Sequence, residues 1–181
     1  LVAAYARRDE RAKAFAQAHG CSAYSDLGQF LAHEGMDVVT VASVSGAHLD
    51  HVKAAAQAGK HIICEKPLEV TTARIDQMIR ICEEAGVMLA GIFPRRFNPS
   101  TEIFKKAIEN GRLGKVVLVD VAIKWWRSQE YYDSGAWRGT WNLDGGGALM
   151  NQSIHTIDLM LHLLGQVKSV RASCGLEVHE G

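Results

Sequence analysis

Short apolar runs recur along this chain at intervals filled by helical periodicity, and that alternation leaves few folds open. LVAAYA (1–6), DVVTVAS (37–43), HIIC (61–64) and VMLAGIF (87–93) are strand-sized, and stretches of 3.6-residue spacing separate them. Such an order dictates βαβ units and a parallel sheet. DVVTVAS has almost no polar alternation, which predicts a strand with helices on both faces. Between the runs, Asp9 is placed to cap a helix with Ala12, Phe15 and Ala16 on one face and Gly20 at its end. Leu27, Phe30 and Leu31 mark the inner side of a short second helix, and 48–59 predicts a third, rich in alanine. Ile75, Met78, Ile79 and Cys82 form the stripe of a fourth, capped by Thr71 or Thr72 and ending at Gly86.

The pattern changes after Phe97. A helix from about Pro99 to Asn110 leads into VVLVDVAIKWW, read as a longer strand. An aromatic, glycine-containing loop of roughly 17 residues follows. Then come a helix over about 147–164 and a strand in VKSVRASC. The fold class expected is therefore α/β: a partial, doubly wound parallel sheet in a domain of residues 1–97, then an α+β open-sheet domain in 98–181. Leu1 opens directly on a strand, so the first β-α unit of a complete doubly wound domain is expected to be missing.

Charge narrows the function. Lys and Arg total 20, as do Asp and Glu, among 181 residues. No basic field invites nucleic acid or an anionic membrane. No apolar run reaches the roughly 18 residues of a membrane helix, and no secretory signal pattern opens the chain. Cys21, Cys64, Cys82 and Cys174 lie far apart, as reduced thiols of a cytoplasmic protein would. Specificity then belongs to a local site.

Ligands of open parallel sheets bind beyond the carboxyl ends of the strands. Glu65-Lys66-Pro67 follows HIIC directly. A lysine there can favour a substrate alkoxide while the proline stiffens the turn, or it can be a solvated surface lysine. Ser43, Ser45 and His48, in SVSGAH, begin a helix whose N-terminus suits ribose or phosphate oxygens, or they form an ordinary βα loop. In GGGALMNQSIHTID, three glycines precede Asn151, His155 and Asp158, spaced i, i+4, i+7 on one helical face. His155 suits proton removal from an alcohol, and equally suits a buried structural histidine. A metal site using His and Asp lacks a further ligand cluster, so no metal is expected. Arg96, Arg127, Tyr132 and Arg138, with neighbouring aromatics, suit a sugar face or an anionic group, and such a surface also suits an oligomer interface.

In this order, SGAHLDH, AGKHIICEKPLEVT, FPRRFNP, WRGTWNLDGGG and NQSIHTIDLMLHLLG resemble the Gfo/Idh/MocA oxidoreductases, and the resemblance covers almost the whole chain. It implies a Rossmann-type domain, a following α+β domain and NAD or NADP as cofactor. It implies that Lys66 and His155 match the catalytic lysine and histidine, and Asn151 is then expected to orient substrate or His155. The family's G-x-G-x-x-G loop is absent, Ser43-Val44 stands where Thr-Pro is common, and Asn151 stands where many members carry Asp. An amide cannot act as a base, so more of the work falls to Lys66 and His155. Ala6 stands where NAD-specific members often place an acidic residue, and Arg7 and Arg8 follow. This tilts the expectation toward NADP, which guanidinium groups can grip by its 2′-phosphate.

The expected activity is hydride transfer between a CH–OH group of a sugar, cyclitol or related polyol and NAD(P). The alternatives are an NAD-dependent glycosidase on the same scaffold and a non-catalytic dinucleotide-binding subunit. A homo-oligomer is expected, assembled through alternate residues of VVLVDVAIKWW.

Overall fold

A computed structural model describes residues 1–179. They divide into two compact units. The first comprises Leu1–Ser43, Ala47–Glu65 and Thr72–Ala90, and the second comprises Val44–Gly46, Lys66–Thr71 and the chain from Gly91 onward.

The first unit follows the β-α order read from the sequence. β1 (Ala3–Tyr5), α1 (Asp9–His19), β2 (Ser22–Tyr24) and α2 (Leu27–Leu31) are followed by β3 (Val38–Val41), α3 (His48–Gln57), β4 (His61–Cys64), α4 (Thr72–Glu84) and β5 (Leu89–Gly91). β1 pairs parallel with β2, Ala3 opposite Ser22 and Tyr5 opposite Tyr24. β3 pairs parallel with β4, from Val38 opposite His61 to Val41 opposite Cys64, and β5 lies beyond β4. This is a Rossmann-like α/β architecture. Val52, Ile62 and Met78 are fully buried, and each such side chain contributes about 1.5–3 kcal/mol relative to exposure. Ala12, Ala16, Ala55 and Ala56 are buried too, their small side chains letting α1 pack closely on β1 and β2, and α3 on β3, β4 and α4.

Four sequence expectations are corrected by the structure. Asp9 does not cap α1: Arg8 holds the N-cap position without a side-chain bond, and Asp9 is the first helical residue, ion-paired with Lys13 one turn on. Phe15 and Ile79, assigned to inner faces, are half exposed. β2 has no counterpart in the sequence reading, because three residues among small polar neighbours give no periodic signal and only the ladder to β1 makes a strand of them. DVVTVAS is not covered on both faces. Val39 and Val41 are buried, while Val38 is 44% exposed and Ile63 of β4 39%. Among the described residues, helices cover one face of this sheet only.

In the second unit α5 (Pro99–Glu109) begins as expected, with Asn98 at its N-cap and proline at the first turn, where the missing N–H costs nothing. The aromatic loop is less irregular than its composition suggests. It holds α6 (Gln129–Asp133) and α7 (Trp141–Asp144), the latter capped by the Thr140 hydroxyl, which accepts from the Leu143 N–H. The helix expected over 147–164 is two elements: a π-helical segment, Ala148–Ser153, runs into α8 (Ile154–Leu164). VVLVDVAIKWW and VKSVRASC form no ladder among the described residues. Val117 is 84% and Leu118 75% exposed. Strand propensity makes no strand without a neighbour to accept its backbone hydrogen bonds.

Candidate active site

The parallel pairing of β3 and β4 brings their carboxyl ends to one edge. The Glu65 N–H donates to the Val41 carbonyl, extending the ladder to the residue before Lys66. Lys66 therefore leaves the sheet at a defined point, joined to the buried Pro67 by a cis peptide bond.

Lys66 is not a solvated surface lysine. Its Nζ donates to the backbone oxygen and to the Oδ1 of Asn151, both at 2.8 Å. Asn151 in turn donates through Nδ2 to Oδ1 of Asp144 at 2.6 Å, and the other oxygen of Asp144 accepts from the Gly139 N–H at 2.8 Å. Asp144 is 1% exposed. Sequence reasoning missed it. Its only signal was a carboxylate directly before three glycines, in a four-residue helix too short to show a pattern.

The three glycines are required by conformation. Gly145, Gly146 and Gly147 all have positive φ, at 69°, 92° and 79°, which other residues rarely adopt. A Cβ at Gly146 would also stand 2.8 Å from the Trp141 ring. This turn reverses the chain so that Asp144 and Asn151, seven residues apart, meet. The π-helical segment then holds Asn151 toward Lys66; such segments are frequent at functional sites.

His155 lies in the first turn of α8, its ring edge-on to Phe93 with centroids 6.3 Å apart. The π segment breaks the single α-helical stripe expected of Asn151, His155 and Asp158. Asn151 faces Lys66 and Asp144, whereas Asp158, buried, is gripped by Arg96 through Nε and Nη2. That hydrogen-bonded carboxylate holds the Arg96 guanidinium above its ordinary value, against a smaller opposing effect of burial. Arg96, a substrate contact in the sequence reading, is thus engaged with the protein itself. Arg95 beside it donates to the Thr156 hydroxyl at 2.7 Å.

The remaining substrate candidates form one aromatic–guanidinium cluster. Arg138 donates to the Tyr131 hydroxyl at 2.6 Å and stacks over the Tyr131 and Trp137 rings. Arg127 also lies over Tyr131, and Tyr132 meets Tyr131 edge-on. Gln152, the neighbour of Asn151, donates to the same Tyr131 hydroxyl at 3.0 Å. Tyr131, passed over in favour of Tyr132, is the hub of this cluster.

The candidate cofactor loops are less uniform. Ser43 is exposed, its hydroxyl 3.0 Å from His51 Nδ1, and Ser45 is buried. His48 is buried, Nε2 lying 3.0 Å from the Ser43 carbonyl oxygen. A close backbone approach at this loop is made by the chain itself, since a Cβ on Gly46 would fall 2.2 Å from the Asn142 carbonyl oxygen. Arg7 and Arg8 are exposed where β1 gives way to α1. In the first unit, exposed guanidinium groups at a strand end suit the phosphate or ribose of a nicotinamide dinucleotide, and in the second unit an ammonium with an imidazole suits alcohol oxidation. No group of three or more His, Cys, Asp or Glu among the described residues is arranged to hold a metal. Burial pushes the Cys82 thiol up, which keeps it protonated and inert. No helix among the described residues is long and apolar enough to cross a membrane.

Comparison with known proteins agrees with the Rossmann-like α/β fold. Residues 1–93 match a family described as "Oxidoreductase family, NAD-binding Rossmann fold", and residues 102–181 match the GFO/IDH/MocA C-terminal domain. The WlbA dehydrogenase from Bordetella pertussis, solved with NADH and UDP-GlcNAcA, superposes with a TM-score of 0.86 at 39% identity, over 91% of this chain and 47% of that one. Myo-inositol 2-dehydrogenase of Thermotoga maritima is 31% identical over 87% of this chain and 45% of its own length. D-glucoside 3-dehydrogenase of Escherichia coli is 32% identical over 95% and 49%. The chain spans about half the length of the curated relatives it matches. With two successive family domains matched in order across most of its length, this chain belongs to the Gfo/Idh/MocA oxidoreductase family.

Proposed function

We propose that this protein is an NAD(P)-dependent dehydrogenase acting on a secondary alcohol of a sugar, cyclitol or related polyol. The observation that carries the reading is the Lys66 ammonium, locked onto Asn151 by two hydrogen bonds in the same unit as His155. A solvated lysine would have no use for such a mooring. The relatives' own substrates, a cyclitol and a glucoside among them, support the substrate class.

The cofactor when bound supplies the hydride acceptor, its nicotinamide ring. His155 takes the hydroxyl proton as the C–H bond of the carbinol breaks, and Lys66 stabilises negative charge on the substrate oxygen until the C=O bond is made. Asn151 holds Lys66 in place. Arg127, Tyr132 and Arg138 present aromatic faces and guanidinium donors to the sugar. Arg7 and Arg8, with no acidic side chain at Ala6, favour NADP over NAD. Four free cysteines with no disulfide among them support a reducing, cytoplasmic setting.

The test is absorbance at 340 nm for the full-length protein against a panel of sugars and cyclitols, with each cofactor in turn. Stoichiometric NAD(P)H formation is expected, greater with NADP, and Arg7→Ala with Arg8→Ala should reduce that preference by about tenfold, the equivalent of one charge-assisted contact. Sugar release without net NAD(P)H would replace this reading with a glycosidase. Cofactor binding without turnover of any panel member would replace it with a dinucleotide-binding subunit.

A further inference from the structure

We propose that Asp144 is a positioning residue that sets the orientation of the Asn151 amide and, through it, the charge and placement of Lys66. The inference rests on the dehydrogenase reading only for its effect on turnover. Its structural part stands on the chain Asp144–Asn151–Lys66.

An amide side chain has a donor end and an acceptor end of nearly the same shape, so its direction is set by its partners. Here both partners are one-sided. An ionised carboxylate can only accept, and an ammonium can only donate. Asp144 Oδ1 therefore claims Nδ2 of Asn151, which turns Oδ1 to Lys66. Reversing the amide would set N–H against N–H and oxygen against oxygen at the same time.

Asp144 is poorly explained as a helix residue. It ends the four-residue α7 and is 1% exposed. Its carboxylate is satisfied by two donors, the Gly139 N–H and the Asn151 amide. A buried anion held this way lends its field to the far end of the amide, because low local polarity strengthens hydrogen bonds in series. The amide at position 151 thereby acquires a physical reason. This chain carries an amide at position 151 and keeps the negative charge one hydrogen bond further from Lys66. Carboxylates at both positions would stand 2.6 Å apart, a spacing at which one must hold a proton.

The experiment compares the full-length protein with Asp144→Asn, Asn151→Asp and the exchange Asp144→Asn/Asn151→Asp. Two measurements are made on each: competitive acylation of Lys66 across pH, read by mass spectrometry, and the pH profile of kcat/KM. The labelling midpoint of Lys66 should fall by about half a unit or more in Asp144→Asn, because an anion near the ammonium is removed. Asn151→Asp should add an acid limb to the kcat/KM profile, as the two carboxylates share a proton. The exchange should return both measurements toward wild type. In it the new amide at position 144 can donate to the new carboxylate at position 151, while its oxygen still accepts from the Gly139 N–H.

Unchanged labelling midpoints in both single variants, with folded protein by thermal melt, would overturn the proposal. So would an exchange variant no better than the worse single variant. If Asp144→Asn fails to fold, Asn151→Asp against the exchange decides the matter by the same two readings. If wild type oxidises no polyol, the dehydrogenase reading fails while the labelling arm still tests Asp144. If wild type turns over normally and the midpoints do not move, only the proposal fails.

Discussion

The second unit contains two polar clusters built on opposite physical terms. Asp144, Asn151 and Lys66 are joined head to tail by hydrogen bonds of 2.6–2.8 Å, with the carboxylate buried. Arg127, Tyr131, Tyr132 and Arg138 are joined mainly by guanidinium groups lying over rings and one edge-on ring pair, with separations of 4.3–5.3 Å. The first is directional, so exchanging a single atom reverses a donor and an acceptor. The second is a matter of area and charge, which tolerates small displacements. On the proposed function, holding an ammonium against a substrate oxygen suits the first kind of site, and recognition of a sugar face suits the second.

The contrast is most exposed to failure in the proposed catalytic pair, Lys66 and His155. In the full-length enzyme, Lys66→Ala and His155→Ala should each lower kcat by roughly two to four orders of magnitude, the usual worth of general acid–base groups. Steady-state kinetics at saturating substrate reads this, and near-wild-type kcat in either variant removes that residue from the mechanism.

A smaller effect is expected at the ion pair outside both clusters. Arg96→Leu strands the buried Asp158 carboxylate and should destabilise the folded protein by about 2–3 kcal/mol, the cost of leaving a charged acceptor unsatisfied. Because Arg96 is 42% exposed on its side chain, water can recover part of this. Urea titration would show it, and an unchanged midpoint would mean that Asp158 does not depend on Arg96.

The smallest change tests the stacked cluster. Arg138→Lys keeps the charge but loses the flat guanidinium over Tyr131 and Trp137. KM should rise about fivefold, in line with a cation–π contact of about 1 kcal/mol, with kcat unaltered. A fall in kcat instead would place Arg138 with the directional group and dissolve the distinction.

Much of this was legible from residue order. The β-α alternation, Lys66 at a strand end, and the glycine turn before Asn151 and His155 all follow from local patterns, because apolar periodicity and positive-φ glycines act over a few residues. The domain reading placed a division at residue 97, whereas the compact units also exchange short loops, 44–46 and 66–71, that no composition shift marks.

What the amino-acid order determined by itself was therefore element type and the residues available for chemistry. Tertiary structure alone decided the partnerships. It tied Asp158 to Arg96 rather than to His155, left VVLVDVAIKWW without a ladder, inserted a π-helical segment ahead of α8, and set Asp144 against Asn151. The reason is that a periodicity is a property of neighbours along the chain. A hydrogen bond to a buried carboxylate depends on distance in space, and 85 residues of sequence separate Lys66 from the amide that holds it.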